Sequence, residues 1–258
     1  MRPPAVAGSF YPGDPAQLRA AVDGLLAAVP VEPDDAFAYV VPHAGYRWSG
    51  PTAAHVYARL AGREFDRVVL IGPSHRVPLR GAAVPAERVW STPLGDVEID
   101  VDGARDLVAG GLAAADDGPH APEHSLEVQL PFLQVLGFGR VLPVCVGPAQ
   151  PEAVAALLSV VAVPGSLVLC STDLSHYLPR ADAERVDKDT TAAIVRLEPD
   201  RIGERDACGR HALRGLLAWA RDLGPQVRLL HTATSADEGG PADRVVGYAA
   251  ASFTRSAP

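Results

Sequence analysis

The sequence predicts an α/β fold: one domain over 1–258 with a central mixed, mostly parallel sheet flanked by helices. Three observations lead there. Continuous apolar runs such as Val68-Val69-Leu70-Ile71 and Leu167-Val168-Leu169-Cys170 read as strands buried on both faces. Stretches of helical periodicity separate those runs, the order expected of alternating βα units. The 24 glycines and 24 prolines are spread along the chain, which gives many short elements and no linker that would split it.

Asp14-Pro15 reads as an N-cap followed by proline at the first helical position, and Leu18, Val22, Leu25 and Leu26 recur at helical spacing, so 15–29 is an amphipathic helix. A strand over 37–41 stops at Pro42. Ser49-Gly50-Pro51 opens a helix that ends near Gly62, and the strand over 67–71 stops at Gly72-Pro73. Residues 81–99 read as short irregular strands, and 100–110 as a helix. Pro122-Glu123 opens a helix to about Leu136, followed by a strand over 140–146, a helix over 151–162 and a strand over 166–171. Helices follow over about 181–196 and 209–222. Strands over about 227–234 and 244–253 close the chain, joined through Asp237-Glu238-Gly239-Gly240-Pro241 as an antiparallel pair.

Composition narrows the function. At 48% hydrophobic and 21% charged, the 258 residues have an ordinary globular balance. A formal net charge of −8 argues against a nucleic-acid-binding face. No apolar run approaches the roughly 20 residues of a membrane span, and no basic start leads into an apolar segment, so a cytoplasmic protein is expected. Its three cysteines make no disulfide framework, so each thiol is either core or chemical.

Ligands in open α/β sheets sit just outside the carboxyl ends of the strands. There the sequence places Pro42-His43-Ala44-Gly45-Tyr46, Gly72-Pro73-Ser74-His75 and Thr172-Asp173-Leu174-Ser175-His176-Tyr177. Any one of these histidines alone reads as a turn or capping residue; three at equivalent strand ends read as a site. His43 and His75 are 32 residues apart, about one strand–helix–strand unit. If those strands are neighbours, about 4.8 Å apart, the two imidazoles converge on one metal ion. Asp173 and His176 share a face if their loop turns helically. Asp173 could then be a ligand or orient one, and His176 could exchange protons near neutral pH.

Glu123-His124-Ser125-Leu126-Glu127 falls in the first turn of the helix expected from Pro122. The helix dipole there favours both glutamates and disfavours a cationic His124, so a neutral His124 joins Asp173 and His176 as a candidate catalytic group. Cys145 and Cys170 lie inside apolar strands and read as core. Cys208 lies between two helices, at a helix start that lowers a thiol's pKa and favours a metal-binding thiolate. His211 reads as a packing residue on the following helix, and His55, His120 and His231 as structural.

Together with Ala7-Gly8-Ser9-Phe10-Tyr11-Pro12, Gly50-Pro51, Cys208-Gly209 and Gly247-Tyr248-Ala249, these motifs resemble the Memo family, which includes the AmmeMemoRadiSam system protein B group, over nearly the whole chain. That family is similar to the class III extradiol dioxygenases, non-haem iron enzymes that open catechol rings. The resemblance implies a class III extradiol dioxygenase-like fold. It also implies a metal site of His43, His75 and Cys208, with Asp173 and His176 beside it. The implied metal is iron or copper, with zinc as an alternative. In the dioxygenases the third ligand is a carboxylate; Cys208 at that place softens the site toward copper(I) or redox-active iron. The implied partners are an AMMECR-type protein and a radical SAM protein, besides a small-molecule or peptide ligand. Three classes of function follow: a redox metalloprotein, a non-catalytic peptide- or protein-binding module that uses the same pocket with help from Arg47 and Trp48, and a zinc hydrolase with zinc in the same site.

Overall fold

The computed structural model describes residues 1–30 and 32–255. Its strands are β1 (Ala38–Val41), β2 (Arg67–Pro73), β3 (Ala82–Val84), β4 (Val89–Thr92), β5 (Gly95–Ile99), β6 (Ala114–Ala115), β7 (Arg140–Val146), β8 (Ser166–Ser171), β9 (His176–Leu178), β10 (Gln226–Thr234) and β11 (Val245–Thr254). Its helices are α1 (Pro15–Ala27), α2 (Tyr46–Tyr57), α3 (Val101–Ala109), α4 (Leu130–Val135), α5 (Pro151–Val161), α6 (Arg180–Val195) and α7 (Arg210–Leu223). Asp14 caps α1 as expected, its Oδ1 accepting from Gln17 N at 2.9 Å.

The main sheet runs β10-β11-β1-β8-β2-β7-β3-β6. Its four central strands, β1, β8, β2 and β7, are parallel, so their carboxyl ends lie along one edge. Antiparallel β10 and β11 flank them on one side and antiparallel β3 on the other. This is the mixed α/β sheet that the apolar runs predict.

Strand alternation divides the interior into two layers. Val40, Val69, Ile71 and Val168 face Leu157 and Leu158 of α5 and Leu213, Leu216 and Leu217 of α7. Tyr39, Val41, Leu70 and Leu169 face Leu18 and Val22 of α1, Val56 and Tyr57 of α2, and Phe132 and Leu133 of α4. Each such side chain, fully buried, contributes about 1.5–3 kcal/mol. On α7, Gly215 lets α5 approach: an added Cβ would lie 2.2 Å from Val154 Cβ. Cys145 and Cys170 are fully buried, as expected of core residues.

Four local expectations are corrected. α2 begins at Tyr46 behind Gly45, and Pro51 lies inside it rather than at its start. No helix starts at Pro122: the chain turns through 120–126, and a single 3-10 turn (Glu127–Gln129) leads into α4. Glu123, Ser125 and Glu127 are buried there and bond to other segments instead of facing solvent from a first helical turn. The Asp173–His176 loop is not helical, and His176 opens β9 instead. Finally, β1 and β2 are not neighbours, because β8 lies between them. Among the described residues, no helix is long and apolar enough to cross a membrane.

Candidate metal centre

The carboxyl ends of β1, β8 and β2 bring His43, Asp173 and His75 to one edge. β8 ends between the two histidine strands and its chain turns away at Thr172-Asp173. The rings of His43 and His75 meet there, with centroids 5.2 Å apart. The loop before α7 carries Cys208 in, and its Sγ lies 3.2 Å from His43 Nε2. Donor atoms of His43, His75 and Cys208 all lie within 4.8 Å of one another. His43 is buried, while His75 keeps a side-chain exposure of 27%.

Each donor is tethered from behind. His43 donates its backbone N–H to Asp173 Oδ1 at 2.7 Å, and its Nδ1 lies 2.9 Å from Ser171 Oγ. His75 is held by Glu123, which accepts from the His75 backbone N–H and, at 2.8 Å, from Nδ1. Glu123 also accepts from the backbone N–H groups of His124 and Ser125. It serves as the anchor of His75, not as a helix-dipole acid. Cys208 is locked to the Asp173 backbone: Asp173 N–H points at Sγ at 3.3 Å, and Cys208 N–H donates to Asp173 O at 3.2 Å.

The electrostatics follow from burial. Burial raises the Cys208 thiol, and the neighbouring Asp173 charge raises it further, which corrects the expectation of a lowered thiol. Gly209 caps α7 without a side-chain bond, and its dipole does not overcome that desolvation. Burial also lowers His43 well below the ordinary histidine range and lowers His124 to about 4. Asp173 is pushed up to about 6, again mainly by burial.

His124 stacks beside His75 at 4.6 Å and touches the Phe10 ring at 4.6 Å. Its buried Nδ1 lies 3.2 Å from Glu123 Oε1. It is neutral as expected, but through burial rather than a helix N-terminus. His176 lies at the rim, its Nδ1 donating to Leu174 O at 2.7 Å, so its Nε2 is free. Asp173 is not among the converging donors.

Outside the centre, His211 packs against Ala149 O at 3.2 Å, and His55 and His231 stack on each other at 4.4 Å. His120 is buried, with its Nδ1 3.3 Å from Cys145 Sγ. A cleft of about 1330 Å³ is lined by Phe10, Arg47, His55 and Tyr248 among others; His43, His75 and Cys208 do not line it, and Phe10, which touches His124, links the two. Arg47 stacks on Trp48 at 4.5 Å.

Sequence reasoning missed Ser171, Gln129, Arg2 and Glu127 as parts of the site's support. The signal was available: Ser125-Leu126-Glu127-Val128-Gln129-Leu130 alternates polar and apolar residues, a period of two that conflicts with a helix.

A family model described as "Memo-like protein" matches residues 2–252. A MEMO1 family protein of Methanococcoides burtonii is 39% identical over 266 residues, covering 97% of this chain and 98% of that protein. One from Desulfurococcus amylolyticus is 34% identical over 279 residues, covering 98% of each. An uncharacterized protein of Escherichia coli K12, JW3007, has a similar fold at a TM-score of 0.52 and 13% identity, over 83% of this chain and 98% of that one.

Proposed function

The chain belongs to the Memo family, and from that premise we propose that it is a metal-dependent redox protein whose iron or copper ion is held by His43, His75 and Cys208. The observation that carries this reading is the convergence of two imidazoles and one thiol within 4.8 Å. The donor set fits the group. With its Nδ1–H given to Glu123, His75 offers Nε2. Two histidines and one thiolate suit iron, copper(I) or zinc and leave positions open. A bound iron or copper ion would supply one-electron chemistry.

The chain's own residues do the rest. His176 takes or gives a proton at Nε2, since Nδ1 is committed to Leu174 O. Neutral His124 offers a hydrogen bond to a ligand beside His75, and Phe10 keeps water off its other face. Metal analysis of protein purified without oxygen tests the reading. Iron or copper should approach one ion per chain and be lost from His43→Ala with Cys208→Ala; unchanged metal content in that variant would refute it. Zinc alone, with no redox cycling, would select the hydrolase reading.

A second reading, a peptide- or protein-binding module, is favoured by the adjoining cleft, which shares Phe10 with the centre. Calorimetric titration of candidate peptides against wild type and Arg47→Ala separates the two.

A further inference from the structure

We propose that the short segment 123–129 sets the ring tautomers of both His43 and His75, and that Ser171 is the positioning residue through which it acts on His43. The functional consequence rests on the metal-binding reading above; the tautomers themselves do not.

A serine hydroxyl has one hydrogen and two lone pairs. Ser171 Oγ lies 2.6 Å from the carbonyl oxygen of Ser125, which only accepts, so the hydroxyl hydrogen goes there. One end of the Gln129 amide lies 2.8 Å from Ser171 Oγ and 3.0 Å from Pro42 O. Pro42 O only accepts, so that end is the NH2. The other end is the oxygen, which accepts from the Tyr57 hydroxyl at 2.6 Å.

Ser171 therefore gives its hydrogen to Ser125 and receives one from Gln129. Its remaining lone pair faces His43 Nδ1 at 2.9 Å. Nδ1 must carry the hydrogen, which leaves the Nε2 lone pair facing Cys208 Sγ at 3.2 Å. Ser125, Gln129, Tyr57 and Ser171 are all buried, so water offers no alternative partner.

The same segment fixes the other histidine. Ser125 N–H donates to Glu123 Oε1 at 2.9 Å, the oxygen that takes the Nδ1–H of His75. Ser125 thus joins the two anchors, its N–H serving the anchor of His75 and its C=O the anchor of His43.

The test has two arms. Nitrogen NMR of the histidine-labelled, metal-free chain should show His43 protonated at Nδ1 in the wild type and at Nε2 in Ser171→Ala. Competition against a chelator should show Ser171→Ala binding iron(II) or copper(I) about 10- to 100-fold more weakly. The melting midpoint of the metal-free variant separates lost folding from lost positioning. An Nε2-protonated His43 in the wild type overturns the proposal, as does wild-type affinity in a folded Ser171→Ala. If the wild type binds neither ion, the metal reading falls, while the tautomer result still decides this one. If Ser171→Ala does not fold, the wild-type tautomer decides it.

Discussion

Glu123 grips His75 twice, taking the N–H of its backbone on one oxygen and the Nδ1–H of its ring on the other. Both the position and the tautomer of that histidine hang on one carboxylate. Burial alone would raise Glu123, yet hydrogen bonds from His75 and Ser125 hold it at about 2, below its ordinary 4.5. Its folded pKa is therefore depressed. The stability it contributes is complete above about pH 4.5 and disappears as pH falls toward 2. Glu123→Gln should flatten this acid limb in melting curves and weaken metal binding about 10- to 100-fold.

Metal capture should release a proton. Burial and then Asp173 hold the Cys208 thiol up, so it is protonated in the metal-free protein. Affinity should rise about tenfold per pH unit through neutrality, the mass-action slope for one proton. Titration calorimetry in buffers of different ionisation enthalpy counts that proton. In the native protein a thiol reagent should modify Cys208 before the fully buried Cys145 and Cys170, and bound metal should block it.

Arg2 and Glu127 form a buried ion pair at 2.7 Å, with exposures of 4% and 0%. Glu127 also accepts from Ala5 N, Val6 N and the Tyr11 hydroxyl. Arg2 in turn donates to the carbonyls of His120 and Glu123. Arg2→Met leaves a buried carboxylate without its cation and should cost about 3–5 kcal/mol in urea unfolding. Adding Glu127→Gln should recover part of that loss.

Gly247 faces Asp187 so closely that an added Cβ would lie 1.8 Å from its Oδ2. The other oxygen of Asp187 accepts from Ser175 N at 3.0 Å, next to His176. Gly247→Ala should push Asp187 aside and cost about 1–3 kcal/mol. The amide resonances of Ser175 and His176 should shift in the same variant, while those of His55 and His231 stay in place.

Much of this was legible in the sequence, for physical reasons that differ by element. The four central strands announce themselves because burial on both faces leaves continuous apolar runs. The residues after them could be located because parallel strands end on one edge. Strand order was not legible: nothing in Pro42-His43 or Ser74-His75 says that β8 runs between them. The segment 123–129 misled because Pro122 followed by an acid is also the way a helix opens. A helix dipole accounts for its two glutamates on paper, whereas in the fold Glu123, Ser125, Glu127 and Gln129 are buried and bonded to other parts of the chain. Cys208 lies at the start of a helix, yet its thiol is raised, not lowered, because desolvation outweighs a helix terminus.

The Ser125 bridge also bears on how such a site can change over time. An insertion or deletion within 123–129 would unseat both histidines together, so the imidazole pair can only be kept or abandoned as a unit. Cys208 arrives on a separate loop, tied to the Asp173 backbone rather than to that segment. A substitution at Cys208 therefore leaves the 123–129 anchors of both imidazoles in place.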